Sequence, residues 1–226
     1  MMKDIETLLA NKLQYKFYRA VLKELEEDRT QEIHVTDLVY DCLRRAYYSK
    51  KHPIHAADEA SALVLWIGKK LHETVVCEDG HEVEVELPIA DGLKIKGSID
   101  EMCQIDGYTV IIDKKTTRNI PSKPYDHHVK QVKIYAMILY KTRGIRVQYG
   151  GILYIDVNNL YSKLYMFPVQ MLEIEQLYNE VVEKAWKLYI AMKENTAPEA
   201  EPGWICKYCP YWQLCVQHGI GGGENA

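Results

Sequence analysis

No stretch of this chain is long and apolar enough to span a bilayer, and its opening MMKDIETLLANKL lacks the seven or more contiguous apolar residues of a secretory signal. A cytoplasmic protein is the expectation. Positive charge is not in excess either: 28 Lys and Arg against 32 Asp and Glu give a formal net charge of −4, so no global field draws the protein to nucleic acid or to an anionic membrane. Any nucleic-acid contact must come from local runs, namely Arg44, Arg45, Lys50 and Lys51, then Lys69 and Lys70, then Lys114, Lys115, Arg118, Lys123, Lys130 and Lys133. Each run alone reads as a solvated face. There is no internal repeat. At 47% hydrophobic and 27% charged residues the composition excludes a disordered or fibrous chain, and 226 residues hold one large domain or one domain with an appended lobe.

What is present is a change of period. From Asp4 to Asp28 the residues Ile5, Leu8, Leu9, Leu13, Phe17, Val21, Leu22 and Leu25 recur three and four apart, predicting an amphipathic helix packed on the body of the protein. Thr36 is placed to cap a short helix that carries Cys42 and the basic run after it. Ala57 to Val76 reads as another helix and sets Gly68 and His72 on one face. HEVEVELPI, LKIKGSIDEMCQI and YTVIIDKKTT then alternate with period two, predicting a three-strand antiparallel meander. A helix from Pro124 to Thr142, two strands around 148–157 and 160–169, and a long helix from Met171 to about Asn195 follow. TAPEAEPG leads into CKYCPYWQLC, and the tail reads as disordered. The fold class expected is α/β or α+β, a central mixed sheet flanked by helices.

Chemistry concentrates in the middle. Side chains alternate along a strand, so Asp113 and Lys115 share a side and Lys114 points away. Asp100, on the hairpin partner, can lie beside Asp113. Two adjacent carboxylates repel unless a cation lies between them, which suits a hard divalent ion, Mg2+ or Mn2+, and a nitrogen ligand from His72 tilts the preference to manganese. Lys115 is then placed to orient the attacking water and to offset charge growing on a phosphate oxygen.

Six cysteines with one C-x2-C pair, in a reducing compartment, argue for metal or cluster binding over a disulfide framework. Cys206, Cys209 and Cys215 supply three ligands. Cys42, Cys77 and Cys103 compete for the fourth place; Cys103 and Cys77 read as packed structural thiols, whereas Cys42 sits beside arginines that favour its thiolate. His34 and His218 are spare ligands. Spacing alone leaves zinc and iron–sulfur open.

The order G-x-x-x-H, G-S-I-D, D-x-K followed by T-T, and Q-x-x-x-Y resembles the RecB-type branch of the PD-(D/E)xK nucleases. With an early cysteine and a C-terminal C-x2-C-x5-C, it is similar above all to the fourth family of CRISPR-associated proteins, the Cas-four exonucleases, from about Val35 to Cys215. The resemblance implies a restriction-endonuclease-like core. It implies His72, Asp100, Asp113 and the backbone carbonyl of Lys114 as metal ligands, and Lys115 as the catalytic lysine. Gln131 and Tyr135 become residues bracing the site and the DNA strand. Asp113 stands where many members have Glu. The resemblance also favours a 4Fe-4S cluster on Cys42, Cys206, Cys209 and Cys215, with a 2Fe-2S cluster next and zinc third.

The organisation expected is an N-terminal segment 1–56 contributing Cys42, a nuclease core 57–195, a cysteine segment 196–218 and a tail 219–226. The activity implied is metal-dependent exonucleolysis of single-stranded DNA ends before their integration as CRISPR spacers. The partners implied are single-stranded DNA and CRISPR integrase proteins, with no membrane and with homo-oligomerisation left open. Tyr47, Tyr48, Tyr208, Tyr211 and Trp212 are suited equally to stacking on bases and to packing around the cluster. Two alternatives stand beside this reading: a non-cleaving cluster-containing adaptor for DNA ends, and the nuclease subunit of a recombination helicase complex.

Overall fold

In a computed structural model of the protein, residues 2–25, 32–53, 59–78, 80–90 and 92–217 are described. His218 and the 219–226 tail, read above as a spare ligand and a disordered end, lie outside the described residues. In chain order the elements are α1 (Met2–Leu25), β1 (Ile33–His34), α2 (Val35–Leu38), α3 (Leu43–Lys51), α4 (Glu59–His72), β2 (His81–Ala90), β3 (Leu93–Ile105), β4 (Tyr108–Thr117), α5 (Asp126–Arg143), β5 (Tyr149–Asp156), β6 (Tyr161–Pro168), α6 (Met171–Glu194) and α7 (Trp212–Gln217). A 3-10 turn spans Trp204–Tyr208. The chain divides into two compact units, Met1–Asp28 with Ile54–Thr74, and Arg29–Pro53 with Val75–Ala226.

The first unit pairs α1 with α4. Glu24 joins them: its Oε2 accepts from Trp66 Nε1 at 2.8 Å, its carbonyl accepts from Lys69 Nζ at 2.7 Å, and Lys70 Nζ lies 3.3 Å from Oε2. The expectation that the apolar face of α1 is packed is corrected. Val21 is buried, but Ile5, Leu8, Leu9, Leu13 and Phe17 are each more than half exposed.

The second unit is built on one mixed sheet in the order β1-β3-β4-β5-β6, with β2 also on β3. The meander forms as the alternation predicts: β2 is antiparallel to β3 and β3 to β4, turned by Asp106 and Gly107, both at positive φ. β5 then lies parallel to β4, reached through α5, and β6 closes as an antiparallel edge. α5 supplies the densest part of the core, with Val132, Ile134, Ala136, Met137, Ile138 and Leu139 all at 0% exposure. It stops at Gly144, whose φ of 67° lets its N–H cap the last turn.

Two local expectations change. The helix predicted to run from Thr36 through the basic run is two helices: Asp37 Oδ2 takes the His34 N–H at 2.8 Å to start α2, and Cys42 is the N-cap of α3. Cys77 and Cys103, read as separate packed thiols, are joined as a disulfide across a Cα–Cα distance of 5.4 Å. That pairing removes both from competition for the fourth place beside Cys206, Cys209 and Cys215.

Candidate active site and cysteine cluster

The β3–β4 ladder runs from Ile105 opposite Tyr108 to Glu101 opposite Ile112. Asp100 and Asp113 are the residues next beyond that last pair. At that level the ladder gives way to a side chain, because Asp100 Oδ2 accepts the Lys114 N–H at 2.6 Å. Asp113 is 2% exposed, and Lys115 Nζ bridges its carboxylate at 3.0 Å from Oδ1 and 2.9 Å from Oδ2. The structure therefore brings Asp100, Asp113, Lys115 and the Lys114 backbone into one place, as the strand parity predicted. His72 is the last residue of α4, in the first unit. Among the described residues, no three His, Cys, Asp or Glu side chains converge as ligands of one ion.

Lys114 itself, read from the sequence only for its carbonyl, has a second part that was missed. Its side chain is 2% exposed and reaches Glu101, which is fully buried, at 2.5 Å on the opposite face of the sheet. Glu101 also accepts from the N–H groups of Val76 at 3.0 Å and Cys77 at 2.9 Å and contacts His81 Nδ1 at 3.0 Å. Burial alone would raise its pKa, but Lys114, the two backbone donors and His81 together hold it below the usual carboxylate range. Behind the two aspartates stands a satisfied ion pair that fixes the backbone carrying them. No pattern announces it, since Glu101 and Lys114 sit at positions where an alternating strand shows ordinary polar residues.

Gln131 and Tyr135 come together, Gln131 Nε2 donating to Tyr135 OH at 3.1 Å, and both are buried. Tyr135 packs over Gly97, where a Cβ would fall 2.6 Å from its Cε1 and 3.1 Å from Val35 Cγ2. This is the physical reason for a glycine at the head of GSID. It also limits the expected role: at 6% and 4% exposure these side chains brace β3 and offer little surface to a strand of DNA.

A second group beside the site was passed over. In the parallel β4–β5 ladder Tyr154 is registered with Lys115, so it shares that face with Asp113. Its hydroxyl accepts the Tyr125 N–H at 3.0 Å and contacts His128 Nδ1 at 2.8 Å. Burial, reinforced by the nearby Lys115, pushes the His128 pKa down to about 3. Burial also pushes Tyr154 up to about 12, opposed by the Tyr125 N–H and reinforced by Asp113.

The basic runs prove largely committed within the protein. Lys50 pairs with Asp37 at 2.7 Å, Lys130 with Glu180 at 2.6 Å and Lys133 with Glu173 at 3.0 Å. Of the aromatic residues proposed for stacking, Tyr47, Tyr48 and Tyr211 are core residues at 4–6% exposure, while Tyr208 and Trp212 are open at 75% and 40%.

The cysteine segments meet although about 160 residues separate them in sequence. Arg44 Nε donates to the Pro198 carbonyl at 2.6 Å, Tyr47 OH contacts Asn195 Oδ1 at 3.4 Å, and the Tyr48 and Tyr211 rings lie 6.1 Å apart. Cys209 and Cys215 lie within electrostatic reach of each other, of Cys42 and of Cys206. Burial raises both pKa values, and neighbouring thiolates add to the rise. Against this act the Tyr211 N–H and Arg45 at Cys209, and Arg44 at Cys215. The arginines expected from sequence to act on Cys42 act on Cys209 and Cys215. Arg44 Nη1 and Arg45 Nε are buried with no hydrogen-bond acceptor among the described residues.

A mixed sheet whose central hairpin ends in two aspartates, with a lysine two residues past the second, defines a nuclease-type core. Residues 15–216 match the family model of the PD-(D/E)XK nuclease superfamily, and the chain belongs to that superfamily. It is similar to the CRISPR-associated exonuclease Cas4 of Saccharolobus solfataricus, at 29% identity over 86% of this chain and 91% of the relative. Among solved structures, SSO0001 shares the fold with a TM-score of 0.57 at 24% identity, covering 89% of this chain and 95% of its own. The alkaline exonuclease LHK-Exo from Laribacter hongkongensis aligns with a TM-score of 0.39 at 13% identity, over 78% of this chain and 95% of its own. Among the described residues, no helix is long and apolar enough to cross a membrane.

Proposed function

We propose that the protein is a metal-dependent exonuclease of the Cas4 kind, which trims single-stranded DNA ends in the cytoplasm before CRISPR integrase proteins insert them. The observation that carries the reading is that Asp100 binds the Lys114 N–H just past the last pair of the β3–β4 ladder, while Lys115 lies against the buried Asp113 carboxylate. Similarity to a curated Cas4 exonuclease over most of both chains supports the narrower assignment.

The residues present fit a divalent ion. Asp113 is buried and already takes an ammonium as counter-charge, and Asp100 binds the N–H of the next residue, Lys114, so both carboxylates are placed to share a cation. Asp100, Asp113, the Lys114 carbonyl and His72 are the proposed ligands of Mn2+ or Mg2+. A bound ion supplies Lewis acidity at the phosphate and a more acidic water. Lys115, whose ammonium stands at the Asp113 carboxylate, would orient the attacking water and offset negative charge on a phosphate oxygen. Glu101 and Lys114 hold the two strands from behind, and Gln131 with Tyr135 fixes β3 from above Gly97.

Cys42, Cys206, Cys209 and Cys215 are the proposed ligands of an iron–sulfur cluster. Two buried guanidinium donors without acceptors beside four thiols fit a group that becomes anionic when loaded. The four thiols influence one another electrostatically, and the resemblance to the Cas4 exonucleases favours a 4Fe-4S core, with 2Fe-2S next and zinc third.

The test uses end-labelled single-stranded DNA with manganese. Lys115→Ala and Asp113→Ala are each expected to lose at least about 100-fold in rate, the scale of removing one transition-state-stabilising group; full activity in both variants would sink the assignment. Binding without any cleavage by cluster-replete wild-type protein would favour the adaptor. Protein purified without oxygen should be brown, and a colourless zinc-containing sample would remove the iron–sulfur assignment.

A further inference from the structure

Between the first cysteine and the start of α5 the second unit holds a cavity of about 640 Å³ of which the chemistry above uses only Cys42, at one edge. Four aromatic rings stand in its walls. Tyr40 and His127 stack at 5.0 Å with 30° between planes, His127 and Tyr125 stack at 5.6 Å and 14°, and Trp204 lies 5.9 Å from His127. Arg45 covers Tyr40 at 4.3 Å from the ring centre. Trp204 and Tyr125 are 62% and 47% exposed, so the platform has open faces.

The charged groups lining the cavity are three carboxylates, Asp41, Asp126 and Glu201, and Lys130, which is held by Glu180 at 2.6 Å. Asp41 is fixed by Lys184 at 2.9 Å. Carboxylates repel a phosphate but accept from the exocyclic amino group of adenine, cytosine or guanine. The cavity is also tied to the active site through contacts: His127 touches His128 at 4.2 Å, His128 contacts Tyr154, and Tyr154 is registered with Lys115.

We propose that this cavity is a subsite for one unpaired, amino-bearing nucleobase of the strand, which stacks on the exposed rings of Trp204 and Tyr125, backed by the Tyr40–His127 stack, while its neighbouring phosphate lies toward Lys115. The proposal rests on the reading of the protein as a single-strand nuclease and adds where a base is held and which bases are preferred. The base is recognised by ring faces and carboxylates, and the turn that carries Trp204 is fixed by the Gly203–Cys206 hydrogen bond at the start of the cysteine segment. A loaded cysteine cluster would therefore set the position of one wall.

The test is equilibrium binding of labelled single-stranded oligodeoxynucleotides to the full chain in chelator, with one abasic site moved along the strand. In wild type, one position is expected to weaken binding about ten-fold, the scale of one lost stacked base. Trp204→Ala should weaken the intact strand about equally and be insensitive to the abasic site at that position. Leu160→Ala, exposed at the β5–β6 turn, should behave as wild type. Oligothymidine, lacking an exocyclic amino group, should bind more weakly than oligodeoxycytidine. Wild-type affinity in Trp204→Ala with no sensitive position overturns the subsite, and if wild type still cleaves the same strand with manganese, the nuclease reading survives it. Absence of both binding and cleavage removes both. Trp204 is on the surface, so a thermal melt matching wild type separates lost binding from lost folding.

Discussion

Replacing Lys114 with Met should destabilise the protein severely, although the substitution keeps length and adds no bulk. The ammonium is 2% exposed and lies against a Glu101 carboxylate that is fully buried, so the substitution leaves a buried anion without its cation. Breaking such a pair costs about 3–5 kcal/mol. Three donors remain on Glu101, from Val76, Cys77 and His81, which places the expected loss near the lower end, about 3 kcal/mol. Glu101→Gln should cost at least as much, because it leaves a buried ammonium and turns an amide N–H₂ toward donors. The double variant removes both charges and should be more stable than the sum of the singles predicts by well over 1 kcal/mol. Urea unfolding followed by circular dichroism measures all four proteins. A Lys114→Met variant within about 0.5 kcal/mol of wild type, the range of an ordinary surface change, would refute the reasoning. The pair also has a pH signature. Because the folded Glu101 pKa is lowered, its contribution is present above the unfolded value near 4.3 and is lost as pH falls through that value toward the folded one. Glu101→Gln should flatten stability in that acid window and leave its shape above pH 5 unchanged.

Gly97→Ala sets a Cβ 2.6 Å from the buried Tyr135 ring and should lower stability by about 1–3 kcal/mol, the usual cost of overpacking, read as a fall of several degrees in melting temperature; combining it with Tyr135→Ala should relieve the clash, and independent effects of the two changes would contradict the contact. His128, with a folded pKa of about 3, stabilises the protein only while neutral, so its contribution is complete above the unfolded value near 6.5 and is lost as pH falls below it. His128→Phe should therefore reduce the slope of stability against pH between about 6.5 and 4, and an unchanged slope would count against the buried neutral imidazole. Tyr154→Phe removes the acceptor of the Tyr125 N–H and the partner of His128, and should cost about 1–3 kcal/mol in the same unfolding assay.

Alternation of apolar and polar residues, with Asp106 and Gly107 between strands, determined the meander and its parity. Parity in turn put Asp113 and Lys115 on one face, because strand side chains have a fixed period of two. Three closely spaced cysteines, Cys206, Cys209 and Cys215, offered a candidate ligand set through their spacing alone. Pairings over long separation were beyond that logic. Nothing local says that Cys77 meets Cys103, that Lys114 turns inward to Glu101, or that the α3 arginines reach the C-terminal thiols, since each depends on how elements pack. The bland face of α1 and the committed lysines show the same limit from the other side: a period or a charge run states what a segment offers, and only its neighbours decide what is taken. The sequence by itself determined the elements and the chemical residues they carry. The tertiary structure decided which of them are buried, paired and brought to one place, because burial and ion pairing are properties of the assembled neighbours and not of the chain.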